Sequence, residues 1–149
     1  MPDKKTLERA QKDKREGKAS STQAGEFVRE EMDHIREGKH GARSAKQAIA
    51  IGLSKARRAG VELAPPKEGT TSERTRRQAA RDSAKGSEPS HEPSRKRSRA
   101  VTSALKREAK VAASHTALSR QAHASARSRG AAKRSQAAKK AARTRARNR

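Results

Sequence analysis

Residues 95–149 set eighteen Lys or Arg against a single acid, Glu108, so this third of the chain carries +17 of the formal net charge of +23. Like charges at that density repel one another. The only sizeable apolar anchors among them are Val101, Leu105, Val111 and Leu118, and no heptad is sustained. Ala, Lys and Arg favour helix, so the segment reads as nascent helix from about residue 98 to 126, followed by an extended end. Its complement is a polyanion, because each phosphate neutralised releases condensed counterions and no particular shape is needed. The candidate phosphate contacts are Arg95, Lys96, Arg97, Arg99, Lys106, Arg107, Lys133, Arg134, Lys139, Lys140, Arg143, Arg145 and Arg147.

What remains for a core is small. Hydrophobic residues make up 30%, with one Phe and no Tyr or Trp, while 37% are charged and the mean hydropathy is −1.24. Such a composition predicts a mostly disordered chain with a small all-α unit, an antiparallel helix-loop-helix hairpin attached to a nascent-helical basic tail. With no Cys there are no disulfides or thiolate metal sites. No apolar run approaches the ~20 residues of a membrane span, and the first residues lack the apolar region of a secretory signal. The expectation is a cytoplasmic protein.

Local signals agree best between Ser44 and Gly60. Ser44 followed by Gln47 forms a capping box, which predicts a helix starting at Ala45. At 100° per residue Ala45, Ala48, Ile49, Gly52, Leu53, Ala56 and Ala59 share one stripe, with Lys46, Gln47, Ser54, Arg57 and Arg58 opposite. Gly60 supplies a left-handed C-cap, Val61 can fold back on Ala56, and Pro65-Pro66 forbids continuation.

Ser20, Ser21 and Thr22 offer N-caps for a preceding helix over about 23–37, with Phe27, Val28, Met32 and Ile35 on one side and Gly38 as its stop. Its other side is acidic, with Glu26, Glu30, Glu31, Asp33 and Glu37. Pairing it with the basic helix lets Phe27, Met32 and Ile35 cover Ile49, Leu53 and Ala56. Two helices make a thin core, which a homodimer through the hairpin would thicken. The loop Lys39-His40-Gly41-Ala42-Arg43 delivers cations to the N-terminus of the second helix. With Lys39, Arg43, Ser44, Lys46, Arg57 and Arg58 it is either a phosphate site or a solvated turn.

The run Lys46 to Gly60, KQAIAIGLSKARRAG, with the acidic segment and basic Gly loop before it, resembles a bacterial family of short basic proteins whose function is uncharacterised. The resemblance covers about Phe27 to Pro66. It implies a bacterial source and the same helix-loop-helix unit, and it brings no catalytic residues. The tail is similar in composition to linker-histone-type tails.

These readings divide the chain into a charged flexible arm over 1–19, a helix-loop-helix domain over 20–64, a disordered linker over 65–94 and the polycationic tail over 95–149. The arm is a frayed helix or coil, and residues 73–81 a transient basic helix or coil. No catalytic constellation or phosphate-binding Gly motif occurs. The five His lack metal spacing and read as surface residues, so no metal, cofactor or small-molecule substrate is expected. Without exposed aromatics, base stacking is also disfavoured. The expected function is non-enzymatic, sequence-independent binding of duplex DNA, as in nucleoid-associated histone-like proteins. The alternatives are an RNA- or ribosome-associated protein, and an adaptor that dimerises through the 45–59 helix.

Overall fold

The capping box and the glycine stop both operate. In the computed structural model, which describes residues 1–87 and 94–147, the Gln47 N–H donates to Ser44 Oγ at 3.2 Å and α3 spans Ala45–Arg58. The Gln47 carboxamide reaches back one residue further than a standard box, accepting from the Arg43 N–H at 2.8 Å. At the other end Gly60 is left-handed at φ +83°, its N–H donates to Arg57 O, and the Val61 N–H donates to Ala56 O. This is the Schellman pattern. The same two bonds, centred on Gly17 and Gly38, close α1 (Lys4–Arg15) and α2 (Ser20–Arg36).

Packing turns on α2, which lies against both α1 and α3. Phe27, Met32 and Ile35 of α2 are buried as the apolar periodicity predicts. Phe27 does not merely cap a hairpin. It sits with Ala10 of α1, Ala24, Ala56 and Val61, and Leu7, Leu53 and Leu63 pack around that cluster. Where α2 and α3 meet, a Cβ on Gly52 would fall 2.7 Å from the Val28 Cα, so this close approach of backbones requires glycine. Ile49, Ile51 and Leu53 are half-buried. Polar bonds set α1 in register: the Asp3 N–H donates to Glu30 Oε2 at 3.0 Å, Arg9 pairs with Glu26, and the Gln23 carboxamide donates to Lys18 O at 2.9 Å.

The expectation of a mostly disordered chain is wrong. Helix continues through α4 (Glu73–Ser87), α5 (Arg95–Lys106), a 3-10 turn (Lys110–Ala113), α6 (His115–Ser128) and α7 (Gly130–Arg147), with no strand among the described residues. Two physical reasons account for the error. A chain poor in large apolar residues still builds a core here, because most of the buried apolar residues are alanines, from Ala10 to Ala113, whose small side chains let helices approach closely. An α-helix also satisfies its own backbone, so an Ala/Lys/Arg sequence of high propensity stays helical without a core. The arm expected over 1–19 is therefore the packed helix α1. Most of the linker expected over 65–94 holds α4, with residues 88–93 lying outside the described set. The extended end expected after residue 126 is α7.

The chain divides into two units, residues 1–114 and 115–149. In the first, the end of α5 and the stretch after it dock on the loop joining α2 to α3. The Gly41 N–H donates to Leu105 O at 2.9 Å, the Ala42 N–H to Ala109 O at 3.0 Å, and Arg36 Nε to Ala113 O at 3.2 Å. Ala112 and Ala113 are buried there. A Cβ on Gly41 would lie 2.0 Å from Glu108 O, so only glycine admits this seat. In the second unit Arg134 Nη1 donates to Ala126 O at 3.0 Å, tying α7 to α6.

Candidate nucleic-acid interface

Nine of the 21 Lys and Arg up to residue 87 form ion pairs with acids of the same unit. Lys18 pairs with Asp13 and Glu16, Lys39 with Glu37, Arg36 with Asp33, and Arg76 and Arg77 with Glu73. Carboxylates hold the Lys18 and Lys39 ammoniums above their ordinary values, the strongest contributions being hydrogen bonds to Asp13 and Glu37 respectively. Lys55, on the flank of α3, reaches 2.7 Å from Glu31 Oε2 and 3.2 Å from Glu30 Oε1.

The basic face read on α3 is mostly engaged in the same way. Arg57, placed by the 100° projection on the outer face, is buried. Its Nη2 donates weakly to Ala64 O at 3.4 Å, and its Nε has no partner. Burial pushes this guanidinium below its ordinary value, with Asp82 opposing. Arg58 Nε pairs with Asp82 at 2.8 Å. Asp82 is itself buried on α4 and also accepts from Ser54 Oγ at 2.7 Å and Gln78 Nε2 at 3.0 Å. Of the residues proposed around the loop, Ser44 serves as a cap and Lys39 pairs with Glu37, leaving Arg43 and Lys46 as exposed cations without an acid. The Gly41 and Ala42 N–H groups, in the loop read as either a phosphate site or a solvated turn, hold Leu105 and Ala109. Sequence reasoning missed Asp82 because no apolar period marks α4 as a packed element.

The tail differs in kind. All the described Lys and Arg side chains from 95 onward are exposed, and among the described residues none forms an ion pair. On α5, helical geometry puts Arg95, Arg99 and Lys106 on one stripe, with Lys96 to its side and Arg97 on the opposite face. The next cation, Arg107, caps that helix and is exposed. On α7, Lys133, Lys139, Lys140, Arg143 and Arg147 fall within a third of the circumference, while Arg134 and Arg145 lie on the opposite side. Residues 115–149 contain eleven Lys or Arg and no Asp or Glu. Each helix carries a cationic stripe and further cations off it, with no internal neutralisation among the described residues. That arrangement suits a row of phosphates, and nothing in it resembles an acid–base pair or a nucleophile. The one Phe, Phe27, is buried and cannot stack on a base, and the chain has no Tyr or Trp.

Residues 4–68 match a family of unknown function, DUF6496. The match opens at the start of α1 and closes beyond α3, so it takes in the whole three-helix core, where the resemblance read from the sequence began only at Phe27. No curated protein and no solved structure matches the chain. No described helix is long and apolar enough to cross a membrane.

Proposed function

We propose that this protein binds duplex DNA without reading its sequence, neutralising phosphate with the cationic stripes of α5 and α7, in the manner of a bacterial nucleoid-associated, histone-like protein. The observation that supports this reading most is the contrast between the two ends of the chain. Acids pair with nine of the 21 Lys and Arg up to residue 87, whereas the described ones beyond residue 94 stand exposed with no acidic partner among the described residues. Unneutralised charge on high-propensity helices is costly to hold together and is relieved by a polyanion. The buried Phe27 and the lack of other aromatics weigh against recognition of single strands by stacking.

The test is an electrophoretic titration of the intact chain against duplex DNA of two unrelated sequences, duplex RNA, and single strands of equal length at one salt concentration. The two DNA duplexes are expected to bind alike and more tightly than single strands. Tighter binding of the RNA duplex would move the reading to an RNA-associated protein. Discrimination of more than about tenfold between the DNA sequences would contradict phosphate-led binding.

A further inference from the structure

The histidines read as lacking metal spacing are brought together by the fold. Glu31 and His34 stand one turn apart on α2, and the loop beyond Gly38 returns His40 to the same place, its ring edge-to-face with that of His34 at 6.1 Å between centroids. One ligand atom from each of Glu31, His34 and His40 lies within 4.8 Å of the others. Ligands around a tetrahedral zinc sit roughly 3.4 Å apart, given bond lengths of about 2.0–2.2 Å. Small torsional changes span the difference.

Two further observations point to a cation here. The Glu31 side chain is fully buried, and its oxygens meet cationic or imidazole nitrogens rather than a backbone or amide donor: Lys55 Nζ lies 2.7 Å from Oε2 and His40 Nε2 3.3 Å from Oε1. His40 Nδ1 lies 3.0 Å from Gly41 O and must carry the hydrogen to meet it. In the neutral ring Nε2 is then a lone pair aimed at a carboxylate oxygen. A ligating histidine is commonly fixed in this way, its other nitrogen donating to a backbone carbonyl. Around the cluster, the carboxylates of Asp3, Glu30, Glu31 and Glu37 stand against the ammoniums of Lys39, Lys55 and Lys110, the last lying beside Gly38. Glu30 is already satisfied by the Asp3 N–H and Lys55, which favours Glu31 as the third ligand over the overlapping set Asp3, Glu30 and His34.

We propose that Glu31 Oε1, His34 and His40 Nε2 bind a divalent first-row transition ion, of which Zn²⁺ is the natural probe. Imidazole nitrogens with one carboxylate suit that class of ion. The ion would pin the loop whose next two N–H groups hold Leu105 and Ala109, and so fasten the root of the basic tail to the core.

The test is titration of ZnCl2 into the intact chain, followed by calorimetry and by the imidazole ¹⁵N resonances. One equivalent is expected to shift His34 and His40 while His91, His115 and His123 stay in place, and to raise the unfolding midpoint. His40→Ala should weaken binding at least tenfold, and the paired change His115→Ala with His123→Ala should leave it unaltered. Because His40→Ala could disturb the loop, the resonances of the unaltered chain decide the matter. If all five histidines shift alike, if no saturation occurs below millimolar Zn²⁺, or if His40→Ala binds as tightly, the site is not a metal site and the His40–Glu31 contact is an ion pair alone.

Discussion

Phe27→Ala is expected to lower the unfolding midpoint of residues 1–114 by at least ~10 °C while leaving the helix of α7 in place. Phe27 is 1% exposed and is the only large ring at the junction of α1, α2 and α3, where its neighbours are mostly alanine or residues only partly buried. Small neighbours cannot collapse into the space it leaves, so the substitution costs the full transfer term plus the cavity term, roughly 3–5 kcal/mol. A unit of this size has about 5–15 kcal/mol in all, and each kcal/mol moves the midpoint by a few degrees. Thermal melts followed by circular dichroism read both parts of the expectation. A midpoint unchanged within error would mean that the core does not turn on this residue.

How much of this was legible in the sequence depended on the range over which each signal acts. The Ser44 cap, the Gly38 and Gly60 stops and the burial of Phe27, Met32 and Ile35 were readable because caps and apolar periods are local. Arg57 was not. The 100° projection correctly puts it opposite the face that meets α2, but α4 covers that opposite face, and a helix covered on two sides looks one-sided when one cover is polar. α4 buries Ala79 and Asp82 and has no apolar stripe to announce itself. Lys55 and Glu31 pair across elements, which no spacing along one helix reveals. The same limit hid the histidine cluster: His34 and His40 are separated by a glycine turn, and only the closure of α2 at Gly38 folds one back on the other. In the tail the charge was legible, as was helix over about 98–126, where α5 and most of α6 lie; α7 was not, because repulsion counted for more there than the intrinsic preference of Ala, Lys and Arg.

Removing residues 115–149 is expected to lower affinity for duplex DNA by about 100-fold or more at moderate salt, because it deletes eleven cations and no acid. The point of truncation matters. Cutting at residue 95 would also strip the docked 105–113 stretch from Gly41 and Ala42 and expose Ala112 and Ala113, mixing a binding loss with a folding loss. Cutting after Ser114 follows the division between the two units. The shortened chain should keep the thermal transition of the first unit and retain weak binding through Arg95, Lys96, Arg97 and Arg99, which remain exposed on α5. Undiminished affinity would place the interface on the core and remove α7 from the account.

Phosphate neutralisation by exposed helical cations is tested most directly by the affinity of the intact chain for one DNA duplex measured across a series of salt concentrations. Each phosphate contact contributes about −0.9 to the slope of log affinity against log salt. With roughly half of the tail's cations engaged at once, the expected plot is linear with a slope between about −5 and −10. A slope shallower than about −2, with binding still tight at high salt, would contradict the account, because the affinity would then come from contacts that the exposed cations of α5 and α7 do not make.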